Sequence, residues 1–168
     1  MNRTVASVVL MALVIGMGSS AVAQESLKDL VEEQGFGWMA GKWKTTTDNG
    51  EIVTEFKWAA DGHALVNDLK MGEYSSHGII YFVPDEEQVK QFTVNSRGQT
   101  TQGTWESQDG KAICKTKMTD EYGDSTDVGI AYSKVDSKTM KVEVYGLENG
   151  ELSWDPMFEV NFTRQKKS

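Results

Sequence analysis

Cysteine and histidine are both scarce in this chain of 168 residues. Cys114 is the only cysteine, which excludes an internal disulfide as well as paired-cysteine zinc or redox sites. His63 and His77 are the only histidines, and neither has the spacing of a metalloprotease or zinc site. Phosphate-binding loops and the Gly-x-Ser-x-Gly elbow of hydrolases are also absent. The sequence therefore predicts no metal site and no cofactor.

Positive charge is in deficit as well. The chain has 17 Lys and Arg against 25 Asp and Glu, which gives a net charge of −8. The basic residues are scattered apart from Lys166-Lys167 at the C-terminus. Binding to nucleic acid or to an anionic membrane surface requires a basic patch, so both partners are excluded.

Long hydrophobic runs are missing except at the N-terminus. Asn2 and Arg3 precede an apolar run from Val5 to Met17, and Ala21-Val22-Ala23 then supplies small residues. That run is shorter than the roughly 20 residues needed to cross a bilayer, so it predicts a cleaved signal peptide over residues 1–23. No cysteine follows to carry a lipid anchor. We expect a secreted or periplasmic protein that begins at Gln24 and has no stable membrane insertion.

Residues 24–168 have the length of one domain and contain no linker or low-complexity segment. Turn-forming residues recur roughly every dozen positions, the spacing of an all-β sandwich or barrel. Nine such turns separate ten predicted strands, and connections this short require antiparallel neighbours. The turns are Asp48-Asn49-Gly50, Asp61-Gly62, Gly72-Glu73, Pro84-Asp85, Ser96-Arg97-Gly98, Asp109-Gly110, Tyr122-Gly123-Asp124, Asp136-Ser137 and Glu148-Asn149-Gly150.

Residues between the turns alternate so that most strands have one apolar and one wet face. The predicted inward residues include Ile52, Thr54, Phe56, Trp58, Cys114, Thr116, Met118, Met140, Val142, Val144, Phe158, Val160 and Phe162. An open sheet of this length would leave two long edges, and closure removes them. The expected fold is all-β: an antiparallel up-and-down barrel of about ten strands. A short helix precedes it, capped by Ser26 with Asp29, ended at Gly35 and placed to plug one barrel end.

Two motifs at the ends of the predicted barrel resemble the calycins, the superfamily of lipocalins and fatty-acid-binding proteins. Gly41-Lys42-Trp43 opens the first strand, and Arg164 closes the last. The run from Phe36 to Trp43, followed by Asp61-Gly62-His63, is similar to an uncharacterised family of secreted bacterial calycin-like domains. The resemblance implies that Trp43 packs beneath Arg164 and seals one end, and that the lumen holds a small apolar ligand.

This chain departs from the calycin pattern in its disulfides, which are missing, and in the absent Thr-Asp-Tyr signature. The histidine that holds haem in nitrobindin-like members has no counterpart near the C-terminal strands, so haem is not expected. The candidate lining of a ligand site is therefore taken from the inward aromatic and apolar residues, with a histidine at the rim. These candidates are Phe56, Trp58, His63, Trp105 and Met118.

Three functions remain open at this point. The first is an exported carrier of a small apolar ligand, and the second is an envelope interaction module whose aromatic residues fill the barrel. The third is an enzyme with a lumen site, which only His63 supports. The alternation does not fix which way His77 faces, because one extra loop residue would reverse the strand. The oligomeric state is likewise not determined by the sequence.

Overall fold

The computed structural model describes residues 25–119 and 122–166. The predicted signal peptide, residues 1–23, and the predicted start at Gln24 lie outside the described residues. In the described ranges, no helix has the length and apolar character that a membrane crossing requires.

Helix α1 spans Leu27–Glu33 and begins with the expected cap. The Asp29 amide donates a hydrogen bond to Ser26 Oγ at 3.2 Å, and the Ser26 amide donates to Asp29 Oδ2 at 3.3 Å. Gly35 follows the helix at φ +80°, a left-handed conformation that glycine adopts without strain. Both ends of the predicted helix are confirmed.

Eleven strands follow, with short 3₁₀ turns at Gly37–Met39, Ala60–Gly62 and Pro84–Glu86. All strand pairings are antiparallel, and ten strands close into a barrel, which confirms the predicted fold class. The strands are β1 Gly41–Thr47, β2 Gly50–Ala59, β3 Ala64–Met71, β4 Tyr74–Val83, β5 Gln88–Asn95, β6 Thr100–Gln108, β7 Lys111–Thr119, β8 Ser125–Lys134, β9 Thr139–Glu148, β10 Glu151–Leu152 and β11 Phe158–Arg164.

The connection into the last strand differs from the sequence prediction. The turn after β9 leads first into β10, a two-residue strand that pairs back onto β9. The chain then passes Pro156, which has no amide proton to give to a ladder, before β11 begins at Phe158. Strand β10 therefore lies outside the ring of ten.

Closure depends on a narrow seam between the first and last strands. The register joins β1 to β11 at two residue pairs, Trp43 with Arg164 and Lys44 with Thr163. By comparison, β1 and β2 are joined at seven pairs. The Gln165 amide adds one backbone hydrogen bond to Lys42 O at 2.8 Å.

The hydrophobic core lies at the barrel end that α1 covers. Leu27, at 1% exposure, comes from the helix, and Phe36 and Met39 come from the segment that leads into β1. These residues form one cluster with inward barrel residues, so the helix plugs this end as expected. The barrel members of the cluster are Trp43, Phe56, Leu65, Ile80, Ala112, Met140, Val142 and Phe162.

Part of the outer face is also buried, where the sequence alternation predicts a wet surface. Ile113, Ala131 and Tyr145 form a second small cluster outside the barrel, and Leu152 of β10 packs against it. Gly129 leaves Leu152 the room to lie there, because a Cβ at this position would collide with the leucine side chain. Because β10 covers this cluster, part of the outer face that the alternation predicts to be exposed is packed instead.

Candidate functional site

One end of the lumen is sealed by the closing pair. The guanidinium carbon of Arg164 lies 4.1 Å from the centre of the Trp43 ring. Its Nη1 donates to Ala40 O at 2.9 Å, and its Nη2 donates to Trp38 O. The Trp43 indole N–H donates to Met39 O at 2.9 Å. These backbone carbonyls hold the Arg164 guanidinium at the sealed end of the lumen, which we call the floor.

Above this floor, three inward aromatic side chains form a contiguous surface. The Trp105 and Tyr132 rings stack at 5.4 Å between centroids, with 27° between their planes. Phe56 meets Tyr132 edge to face at 5.9 Å. Phe56 is 1% exposed, whereas Trp105 and Tyr132 remain partly accessible. Aromatic surface of this kind is the usual lining of a small-molecule site.

Tyr132 is deep inside the barrel but not fully packed. Burial, and to a smaller extent the nearby Cys114, raises the pKa of its hydroxyl far above the ordinary value. The hydroxyl has no hydrogen-bond partner in the described part of the chain, and it is not fully buried. A deep polar group is normally paired, so the Tyr132 hydroxyl is available to a hydrogen-bonding partner.

Polar side chains line one wall of the lumen. Gln91 Oε1 accepts the Trp105 indole N–H at 2.9 Å, and Gln91 Nε2 donates to Thr93 Oγ1 at 2.8 Å. On the neighbouring strands, Asn67 Nδ2 donates to Thr54 Oγ1 at 3.0 Å, and Thr54 is 4% exposed. The register places the Asn67–Gly78–Thr93 row on the same inner face.

Strand β5 has apolar residues on both of its faces. It points Gln91 and Thr93 into the barrel, while Phe92 and Val94 face outward at 43% and 40% exposure. The turn at Pro84–Glu86, with Glu87 in the left-handed region at φ 51°, sets this register. Val89 also points inward and packs against the core cluster, and the reverse facing would bury Lys90. Hydrophobicity therefore does not decide the facing, and sequence reasoning missed Gln91 and Thr93. Only the length of that turn could have revealed them.

The opposite wall is apolar. Strands β8, β9 and β11 lie across the ring from β3, β4 and β5, and apart from Thr126 and Tyr132 on β8 and the charged strand ends they present apolar side chains to the lumen. Among the described inward positions, charged residues occur only at strand ends: Lys134, Glu148 and Arg164. The inward aliphatic residues of this wall are Val128, Ile130, Val142, Val144 and Val160.

The candidate residues chosen from the sequence do not converge on one point. Phe56, Trp58 and Trp105 belong to or pack against the same core cluster. Met118 lies near the end of β7 away from the helix and is 50% exposed. His63 is exposed in the turn before β3, at the helix-covered end. Met118 and His63 are therefore at opposite ends of the barrel.

The outer face carries a separate polar cleft of about 690 Å³, lined mainly by β2, β3 and β4. His77 faces outward here, and its Nδ1 lies 2.6 Å from Asp68 Oδ1. Within the described residues, no group of three or more His, Cys, Asp or Glu side chains is placed to hold a metal ion. His77 and Asp68 thus form an exposed pair, and no third side chain of these types is placed with them in the described residues.

No protein-family model matches this chain, and no curated protein is significantly similar to it.

Proposed function

We propose that this protein is a calycin-like carrier that binds a small, largely apolar molecule in its lumen. The main support is the accessible aromatic surface of Trp105 and Tyr132, which point into the barrel and not outward. No helix of the described residues covers the barrel end opposite α1, so we take this end as the entrance. A ligand entering there reaches the two rings before it reaches the sealed floor.

The geometry at the floor supports the calycin part of the proposal. Trp43 under Arg164, at the first and last barrel strands, is the arrangement that the resemblance implies. Gly41 belongs to the same motif, because a Cβ there would come within 2.5 Å of Arg164 Nη1. The three residues thus form one packed unit.

The competing hypothesis is an interaction module with a filled barrel. Its best support is an apolar patch on the outer face, where four neighbouring side chains on β4 and β5 are about 40% exposed. These residues are Ile79, Tyr81, Phe92 and Val94. The partial accessibility of Trp105 and Tyr132 supports an unfilled lumen instead.

Binding of the neutral probe N-phenyl-1-naphthylamine distinguishes the two hypotheses. The Trp154→Phe variant is the best background, because Trp154 is 95% exposed and adds only solvent-facing emission. We expect the probe to quench the remaining tryptophan emission and to raise the melting temperature, since it stabilises the folded state. A probe that changes neither quantity would favour the filled barrel.

A matched pair of substitutions locates the binding. Val144→Phe adds bulk on the apolar inner wall, and Val94→Phe adds the same bulk on the outer face. We expect the first to weaken probe binding and the second to leave it unchanged. If both variants bind equally well, the probe is not in the lumen.

Export is the second part of the proposal and is supported by the N-terminal sequence. The apolar run that ends before Ala21-Val22-Ala23 matches a cleaved leader. N-terminal sequencing of protein from its own host should find a chain that begins at Gln24. Recovery of an intact Met1 or of a lipid-modified start would contradict it.

A further inference from the structure

We infer that the lumen selects an electrically neutral amphiphile, whose hydrogen-bonding group contacts the polar wall and whose hydrocarbon body lies on the apolar wall. This inference rests on the proposed carrier function and specifies its ligand class. It is carried by three features: the neutral lining, the free Tyr132 hydroxyl and the unused polar atoms of the wall.

The neutral lining argues against a carboxylate or ammonium ligand. Away from the strand ends, the described inward residues carry no charge. Arg164 is the cation closest to the floor, but it stacks on Trp43 and donates to the carbonyls of Ala40 and Trp38. A buried ion without a partner costs far more free energy than a buried neutral group. A charged head group would therefore have no counterion in the lumen.

The free hydroxyl argues against a pure hydrocarbon. Tyr132 Oη both donates and accepts, and in the described residues it has no partner. A tyrosine hydroxyl is protonated at neutral pH even at its ordinary pKa, and burial raises this pKa further, so the group offers a donor. A ligand hydroxyl, carbonyl or amide that reaches Tyr132 would supply the missing partner.

The polar wall, which Trp105 links to Tyr132, keeps further hydrogen-bonding capacity. Gln91 uses its oxygen for Trp105 and one amide proton for Thr93, which leaves a second amide proton. Asn67 uses one amide proton for Thr54, which leaves its carbonyl oxygen. The wall therefore offers both a donor and an acceptor to a neutral group.

The test compares two molecules of equal chain length, decan-1-ol and decanoate, as competitors of bound N-phenyl-1-naphthylamine at pH 7.5. We expect decanol to compete at a concentration at least tenfold lower than decanoate. If decanoate competes as well as or better than decanol, the neutral-ligand inference is wrong while the carrier function stands. If the probe itself never binds, the carrier function fails first.

Two variants test the residues. Tyr132→Phe keeps the ring stack and removes only the hydroxyl, so decanol affinity should fall about threefold to tenfold, and by more than the affinity of the probe falls. An unchanged decanol affinity would show that the Tyr132 hydroxyl does not contact the ligand. Gln91→Lys places a cation on the inner wall and should shift preference toward decanoate. Phe92→Lys adds the same charge outside and should not; an equal shift in both variants would overturn the inference.

Discussion

Arg164 and Trp43 join the two ends of the barrel through one stacked contact, with the guanidinium carbon 4.1 Å from the indole centre. The two residues are also directly paired in the register of the seam between β1 and β11. Since that seam has only two register pairs, this contact contributes an unusually large share of the closure.

A double-mutant cycle should measure this contribution. We expect Trp43→Phe and Arg164→Met to be coupled by about 0.5–2 kcal/mol in the free energy of unfolding, the range of cation–π interactions. Urea unfolding of the two single variants and the double variant gives the value. Additive losses would mean that the stacked contact contributes nothing beyond the packing of each side chain.

Gly41→Ala should destabilise the protein more than Gly50→Ala does. Both glycines have positive φ angles, +134° and +110°, so both substitutions strain the backbone. Only at position 41 would the new Cβ also meet Arg164 Nη1, at 2.5 Å, whereas position 50 has open space. The difference in melting temperature therefore measures displacement of Arg164. It should shrink in an Arg164→Met background, and a difference that persists there would have another cause.

Glu143 should make stability depend on acid pH. Its side chain is 8% exposed, and it pairs with Lys111 at 2.7 Å and Lys141 at 3.0 Å. Burial by itself raises the pKa of this carboxyl, but hydrogen bonds from the two ammonium groups outweigh it and lower the pKa below the usual 4.5. The stabilisation is therefore complete above the unfolded pKa and is lost as pH falls through the lower folded pKa.

Glu143→Gln should accordingly cost about 1–3 kcal/mol at pH 7, and the cost should shrink in acid. Chemical unfolding at a series of pH values measures both quantities. Glu159→Gln is the matched control, because its side chain is 58% exposed and shares Lys141; it should cost less than about 1 kcal/mol. A cost for Glu143→Gln that does not change with pH would contradict the ion-pair explanation.

Cys114 should be unreactive until the protein opens. The thiol is 1% exposed, and burial raises its pKa to about 12, so very little thiolate forms at pH 8. Ellman's reagent should modify one thiol per chain after unfolding and almost none before. A Ser75→Cys variant, exposed on β4, provides the fast-reacting control. Rapid modification of native Cys114 would show that the lumen admits the reagent to this depth.

Sequence reasoning alone predicted the features that depend on local chemistry. The turn residues fix the number and antiparallel order of the barrel strands, because short connections permit no other arrangement. The helix cap at Ser26 is local as well. For Trp43 and Arg164, the alternation and the motif at each barrel end were sufficient to place them together.

Only the tertiary structure decided which face of β5 points inward, because alternation looks the same in both facings and one turn residue reverses it. The same holds for Glu143, which the alternation exposes but which is buried beside Lys111 and Lys141, since contacts between distant segments leave no local signal. His63 and Met118 are candidates by residue type, and the barrel separates them to opposite ends. The free Tyr132 hydroxyl, on which the ligand inference rests, likewise follows from packing around it and not from its neighbours in sequence.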